Sequence, residues 1–343
     1  LRALQGEPDG HGEVGALDPN GYAVSGEIRT ADVLTRAGFR HVYDGGGCQL
    51  DPVLSGIRKD GSLVYPTRHD AAGGCTPPAA SPPQTQKHPA SAVAYSLPSF
   101  RIPEPVPKDA IVIATNGGTE YFYVLNQSLA SVRALVLALQ ERAAVGPIFV
   151  RTRYGAIAGT LPLSAVNAES DRSSPPMPDL MVSFDWDDAA ITASNASVPG
   201  SEYAGVQRYR GMHGSFSPRD VHNTLIALGP HFKSSYSDSL PTGNGDLAPT
   251  IAELLGFHFD APNGRVLREA LVGQTGDYHV ETLDQDSAPV RLPKTCRPDD
   301  PSCVRPGGPA TYRVTLRKKV LTLANTSTSY GYFDQAKATR DKP

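Results

Sequence analysis

The chain has no run of about 18 consecutive apolar residues, the length a helix needs to cross a bilayer, so its 343 residues encode no membrane-crossing helix. It also lacks an excess of charge of either sign. Lys and Arg number 32 against 35 Asp and Glu, a formal net charge of -3. So weak a field leaves no footprint for a nucleic-acid polymer, and there is no acidic tail. Cysteine is scarce: Cys48, Cys75, Cys296 and Cys303 are the four present. Neither sequential pair has the C-x-x-C spacing of a zinc motif. The opening LRALQGEPDG has neither a start methionine nor the pattern of a signal peptide, as expected of a trimmed end or a fragment.

Turn-formers are abundant instead. There are 33 Gly and 31 Pro, which predicts many turns and long loops, while 39% apolar residues suffice for a real core. The length fits one large domain or two ordinary ones. Cys296 and Cys303 enclose RPDDPS, and Cys48 and Cys75 enclose a Gly/Pro-rich excursion. Each loop can close as a disulfide, and four free thiols is the alternative. Paired cysteines in loops, with glycosylation-type triplets at Asn126, Asn195 and Asn325, point to an oxidising compartment, periplasmic or secreted.

Local patterns predict an α/β fold. Thr30 caps a short helix over 31–37 that Gly38 stops, and residues 41–43 read as a strand ended by Asp44 and three glycines. Residues 49–107, rich in Pro, Ser and Ala and poor in periodicity, read as a surface insertion. AIVIAT is a buried strand; Asn116-Gly117-Gly118 is a turn, and 121–124 a second strand. A helix over 131–144 has Val132, Leu135, Val136 and Leu139 on one face, with Gly146 as its stop and a strand over 147–150 after it. DLMVSFDWDD is a strand whose acidic end, Asp185, Asp187 and Asp188, reads as a solvated turn with Trp186 on an amphipathic rim. Residues 312–323 alternate as a strand that YGYFDQAKATR can pair with, a C-terminal β appendage.

The most informative stretch is 211–256. His213 lies between Gly211 and Gly214, where a neutral imidazole can be aimed into a cleft as a metal ligand. The apolar run 224–228, bounded by Asn223 and Gly229-Pro230, suits a buried strand. Asp246 then precedes LAPTIAELL and Gly256: an N-cap, a proline in the first turn, a helix of roughly three turns and a glycine stop. His222, beside Asp220, reads as a buried histidine at the strand entry. Ser215 and Ser217 have no His/Asp arrangement of a serine hydrolase.

Taken together, His213-Gly214, Gly229-Pro230-His231-Phe232, Asp246-Leu247-Ala248-Pro249-Thr250 and Leu255-Gly256 resemble the C-terminal end of the alkaline phosphatase superfamily, in its type I phosphodiesterase / nucleotide pyrophosphatase branch. The phrase NGGTEYFY, followed by a helix and GPIFV, resembles the same branch. The resemblance implies an alkaline-phosphatase-like central sheet flanked by helices and divalent-metal hydrolysis of small phosphoesters. Two zinc ions would be bridged by a Thr or Ser nucleophile, and His213 would be the last metal histidine. Asp9 and His11 stand near one another as in the family's Asp-His-Gly metal turn, although Gly10 separates them. Glu120 holds the acidic position of the NGGTE phrase and reads as structural rather than as a metal or substrate contact. No family nucleophile or Asp-x-x-x-His pair is recognisable. The resemblance therefore implies that 1–280 is the C-terminal part of a catalytic domain incomplete at its N-terminus, with 281–343 as the appendage, and that this chain alone lacks the full site. Two alternatives stay open: a non-catalytic binding protein that retains the fold, and a sulfatase or phosphonate-type hydrolase of the same superfamily.

Overall fold

The computed structural model describes residues 23–28, 30–44, 68–69, 75–76, 105–142, 144–169, 176–187, 191–193, 196–198, 201–205, 214–259, 263–293, 309–324 and 326–341. The architecture is α/β. In chain order the first elements are β1 (Ala23–Ile28), α1 (Thr30–Arg36), β2 (Val42–Asp44) and the two-residue β3 (Arg68–His69) and β4 (Cys75–Thr76). Next come β5 (Ile111–Asn116), β6 (Thr119–Val124), α2 (Leu129–Gln140), β7 (Val145–Val150), β8 (Leu161–Pro162) and β9 (Leu180–Phe184). The short strands β10 (Trp186–Asp187), β11 (Ile191–Ala193), β12 (Ala196–Val198) and β13 (Ser201–Gly205) follow. The remainder holds α3 (Pro218–Val221), α4 (Leu247–Leu255), β14 (Tyr278–Asp286), β15 (Val290–Leu292), β16 (Ala310–Leu323) and β17 (Ser329–Asp341). No helix among the described residues is long and apolar enough to cross a membrane.

The chain divides into two compact units. One comprises Leu1–Ser217, Asp286–Val314 and Lys337–Pro343, the other Pro218–Gln285 and Thr315–Ala336. The first holds a mixed six-stranded sheet in the order β2-β5-β6-β9-β7-β8. The outer pairs β2/β5 and β7/β8 are parallel, and the inner pairs are antiparallel. Phe122, Ile113, Ile148, Phe149, Leu180 and Phe184 are fully buried on these strands. Strand β7 is buried at all six positions and β9 at all five, the continuous burial of strands covered on both faces. Helix α2 packs on β7 through Val132, Leu135, Val136 and Leu139, the face its 3.6-residue period predicts.

That helix starts and ends earlier than the sequence predicts, at Leu129 and Gln140, and Gly146 lies inside β7 rather than stopping a helix. The reason is steric and polar. A Cβ at Gly146 would come within 2.8 Å of the Phe184 carbonyl oxygen, so the glycine permits a close strand approach. The carbonyls of Gln140, Arg142 and Val145 accept hydrogen bonds from the Arg340 guanidinium at 3.0, 2.6 and 2.6 Å, which satisfies groups that a continuing helix would have used. Trp186 also departs from expectation: it is 4% exposed, not on a rim, because the Lys337 ammonium sits over its ring at 4.7 Å. A four-stranded sheet joins β16 to β14, β15 and β17. Ala310, Tyr312, Val314 and Leu316 of β16 are buried in alternation, as the period-2 pattern predicts.

In the second unit α4 forms where predicted and stops at left-handed Gly256. Residues 222–228 do not form a strand. They have no ladder, and Leu225, Ile226 and Leu228 are 49, 85 and 97% exposed. An apolar run makes a buried strand only when neighbouring strands are supplied, and none of the described strands pairs with this one. His222 is likewise not buried. Its side chain is half exposed, and Nε2 meets Asp334 Oδ1 at 3.0 Å.

Candidate functional site

Two motifs that stand almost 100 residues apart in sequence meet in the first unit. Strands β5 and β6 are joined by Gly117-Gly118, with Asn116 paired to Thr119. Gly117 takes φ 71°, the left-handed conformation a two-residue hairpin needs at its first central position. Asn116 Nδ2 donates to Thr119 Oγ1 at 3.3 Å. Against this turn lies the segment that follows His213. A Cβ at Gly118 would lie 2.5 Å from both the backbone N and the Cβ of Ser215. A Cβ at Gly214, which has φ +91°, would lie 2.8 Å from the Asn116 carbonyl oxygen. The two glycines therefore interlock, and only backbone without side chains fits between the pieces.

The segment is tied further along. Phe216 N donates to Ser183 Oγ at 3.1 Å and Ser217 N to Ser215 Oγ at 3.2 Å. Phe184 N donates to the Gly118 carbonyl at 2.9 Å, so β9 holds the turn from the other side. The Phe216 ring packs on Phe149 with centroids 5.2 Å apart. Ser215 and Ser217 are buried, which fits a positioning role rather than nucleophilic work. Glu120 is 1% exposed within β6, opposite Thr115 and Val182.

The Asp246 motif has a different job from a simple N-cap. A 3-10 turn, Asn244–Asp246, precedes α4, and the Asp246 carboxylate faces back into the loop. It accepts Gly243 N and Arg265 N, each at 2.9 Å, and the Tyr332 hydroxyl at 3.1 Å. Thr250 Oγ1 donates to the Asp246 carbonyl at 2.7 Å and accepts Leu267 N at 3.1 Å. Thus Asp246 and Thr250 stitch the 264–267 strap to the helix. The strap carries a buried ion pair, Arg265 with Glu269, at 2.7 Å. Burial alone would raise the Glu269 pKa. The Arg265 hydrogen bond and charge, aided by Asp238, outweigh it and hold Glu269 below the usual carboxylate range. The Gly-Pro-x-Phe motif likewise ends in structure: Phe232 bridges Leu271, and Lys233 N donates to the Ala270 carbonyl at 2.9 Å.

His213, Asp9 and His11 lie outside the described residues, as do Cys48, Cys296 and Cys303, and the side chain of Cys75. Among the described residues no three His, Cys, Asp or Glu side chains come together as a group able to hold a metal ion. The described residues therefore supply no donor set for the two zinc ions that the resemblance implies. What the fold does place is the neighbour of His213, Gly214, seated on the Asn116–Thr119 turn. Sequence reasoning singled out both motifs but not their junction, whose signal is the pair of glycines. No family model, no curated protein and no solved structure matches this chain.

Proposed function

We propose that this chain carries part of a metal-dependent phosphoester hydrolase site, acting on small phosphodiester or nucleotide pyrophosphate substrates, with His213 as a zinc ligand. The observation that supports this reading is the junction just described. The His-Gly-Ser motif and the Asn-Gly-Gly-Thr motif resemble the same enzyme branch, and the fold packs them against one another at Gly118 and Gly214. Asp9 and His11 are the further candidate ligands, and a periplasmic or secreted setting fits the cysteine pattern.

Elemental analysis after zinc loading and exhaustive dialysis tests the reading. Retained zinc that falls in His213→Ala supports it. Equal zinc in both chains removes His213 as a ligand, and none in either leaves a half-site or a non-catalytic binding protein as the better account. If zinc is retained, comparing turnover of an activated phosphodiester with that of a sulfate ester separates the phosphodiesterase from a sulfatase-type relative.

A further inference from the structure

A second feature of the first unit lies apart from these motifs. Beside the end of β6 is a cavity of about 280 Å³, walled by Tyr123, Val124, Leu125, Pro176 and Met177, with Arg151, Gln127 and Asp179 completing it. Its floor is rigid. Asp179 is 4% exposed and fully engaged. It accepts Val124 N at 2.7 Å, the Tyr154 hydroxyl at 2.6 Å and Arg153 Nη2 at 2.5 Å. Burial first, and the Asp179 hydrogen bond second, push the Tyr154 phenol up to about 12, so it stays a neutral donor. Arg153 also spends Nη1 on Gln127 Oε1 at 3.0 Å, and that residue holds a left-handed backbone at φ 50°. The Asp179 charge is therefore matched by Arg153 before any ligand arrives.

Two of the lining residues carry polar groups that are not committed in this way. The Arg151 guanidinium and the Tyr123 hydroxyl have no hydrogen-bond or ion-pair partner among the described residues. Arg151 is anchored through its backbone, N donating to the Asp179 carbonyl at 3.0 Å, which fixes where its side chain starts. The cavity thus combines apolar and polar lining in similar measure, with one uncommitted cation and one uncommitted neutral donor. A small-molecule site needs both, apolar contact for affinity and polar groups to fix orientation, and this one is at the small end of the size range.

We propose that this cavity binds a small organic monoanion, a carboxylate on a short apolar or aromatic body. Arg151 receives the carboxylate and Tyr123 adds a hydrogen bond. A guanidinium presents two parallel donors that match a carboxylate. One uncommitted cation beside the Asp179 carboxylate favours a single negative charge over a dianion. Val124, Leu125, Pro176 and Met177 receive the body, and a thioether adapts to aromatic and aliphatic shapes alike. The site needs no metal and is independent of the hydrolase reading.

The test uses the full chain with benzoate as probe, followed by titration calorimetry and ligand-observed saturation-transfer NMR. Benzamide serves as the body without the charge, and inorganic phosphate as an anion without the body. Benzoate should bind in roughly the millimolar range, as expected for so few atoms. Benzamide should bind about tenfold more weakly, and so should benzoate to Arg151→Met, the loss expected for one charge-assisted contact. Tyr123→Phe should weaken benzoate by about threefold, within the worth of a single neutral hydrogen bond. Thermal melts of both variants at the wild-type temperature show that the fold is intact; if Arg151→Met is unfolded, Tyr123→Phe and Arg151→Lys decide. The proposal is overturned if benzoate does not bind, if neither Arg151 nor Tyr123 substitution changes its affinity, or if phosphate binds as tightly as benzoate.

Discussion

Replacing Asp246 by Ala tests the account of the helix-start motif most directly. The carboxylate is 1% exposed and receives three donors: Gly243 N, Arg265 N and the Tyr332 hydroxyl. Alanine leaves all three without their acceptor in a place water reaches poorly. At ~1 kcal/mol for each buried donor left unsatisfied, the loss is about 3 kcal/mol. Asn keeps one acceptor oxygen of similar shape, so Asp246→Asn should lose roughly half as much. Urea denaturation measures the first quantity. With an m-value of ~3 kcal/mol/M the midpoint falls by about 1 M in the alanine variant. Native-state hydrogen exchange measures where the loss sits: the amides of Gly243 and Arg265 should lose protection, whereas those of β7 should keep theirs. Alanine and asparagine variants both within ~0.5 kcal/mol of wild type would refute the stitching argument. So would unchanged protection at Gly243 and Arg265.

Gly118→Ala should push the 214–217 segment off its turn, because the new Cβ meets the Ser215 backbone at 2.5 Å. Overpacking of this kind costs about 1–3 kcal/mol, and faster exchange of the Phe216 amide is the sign to look for. Leu135→Ala on the buried face of α2, at 0% exposure, should cost about 2–5 kcal/mol in a thermal or urea melt; a loss under ~1 kcal/mol would mean that the helix does not pack as described. The Glu269 pKa is depressed in the fold, so its contribution to stability is complete above the unfolded carboxyl value of about 4.5 and is lost as pH falls through the folded value. A melting-temperature series from pH 7 to pH 3 should therefore slope downward more steeply in wild type than in Glu269→Gln, which starts lower and has no such proton to gain. Parallel slopes would show that the carboxylate is not held low by Arg265.

Where local rules and tertiary demands agree, the chain can be read directly. The buried face of α2, the Gly-Gly hairpin, the alternation in β16 and the Gly256 stop all follow from period, capping and turn chemistry. The misreadings share one cause, which is that a residue's neighbours in space decided its role. Gly146 looks like a helix stop until the Phe184 carbonyl is placed beside it. Trp186 looks like a rim residue until Lys337, about 150 positions later, covers it. Residues 224–228 carry the composition of a core strand, but composition cannot say whether flanking strands exist. At the candidate site the sequence offered the motifs and not the interlock, because the clash that makes Gly118 and Gly214 obligatory involves two backbones far apart in the chain.

The bare segment from His222 to Leu228 has a colloidal consequence. Residues 223–228, apolar at 225–228 and without a proline, lie outside any strand ladder. Such a stretch is a template on which identical segments from other molecules can stack. Gly229-Pro230 limits how far a stack can spread, since proline cannot donate to it. The solution should therefore turn turbid with a lag that shortens as protein concentration rises, and high salt should hasten it by screening the small net charge. A single gatekeeper charge, Ile226→Lys, at a position already 85% exposed, should lengthen that lag without lowering the melting temperature.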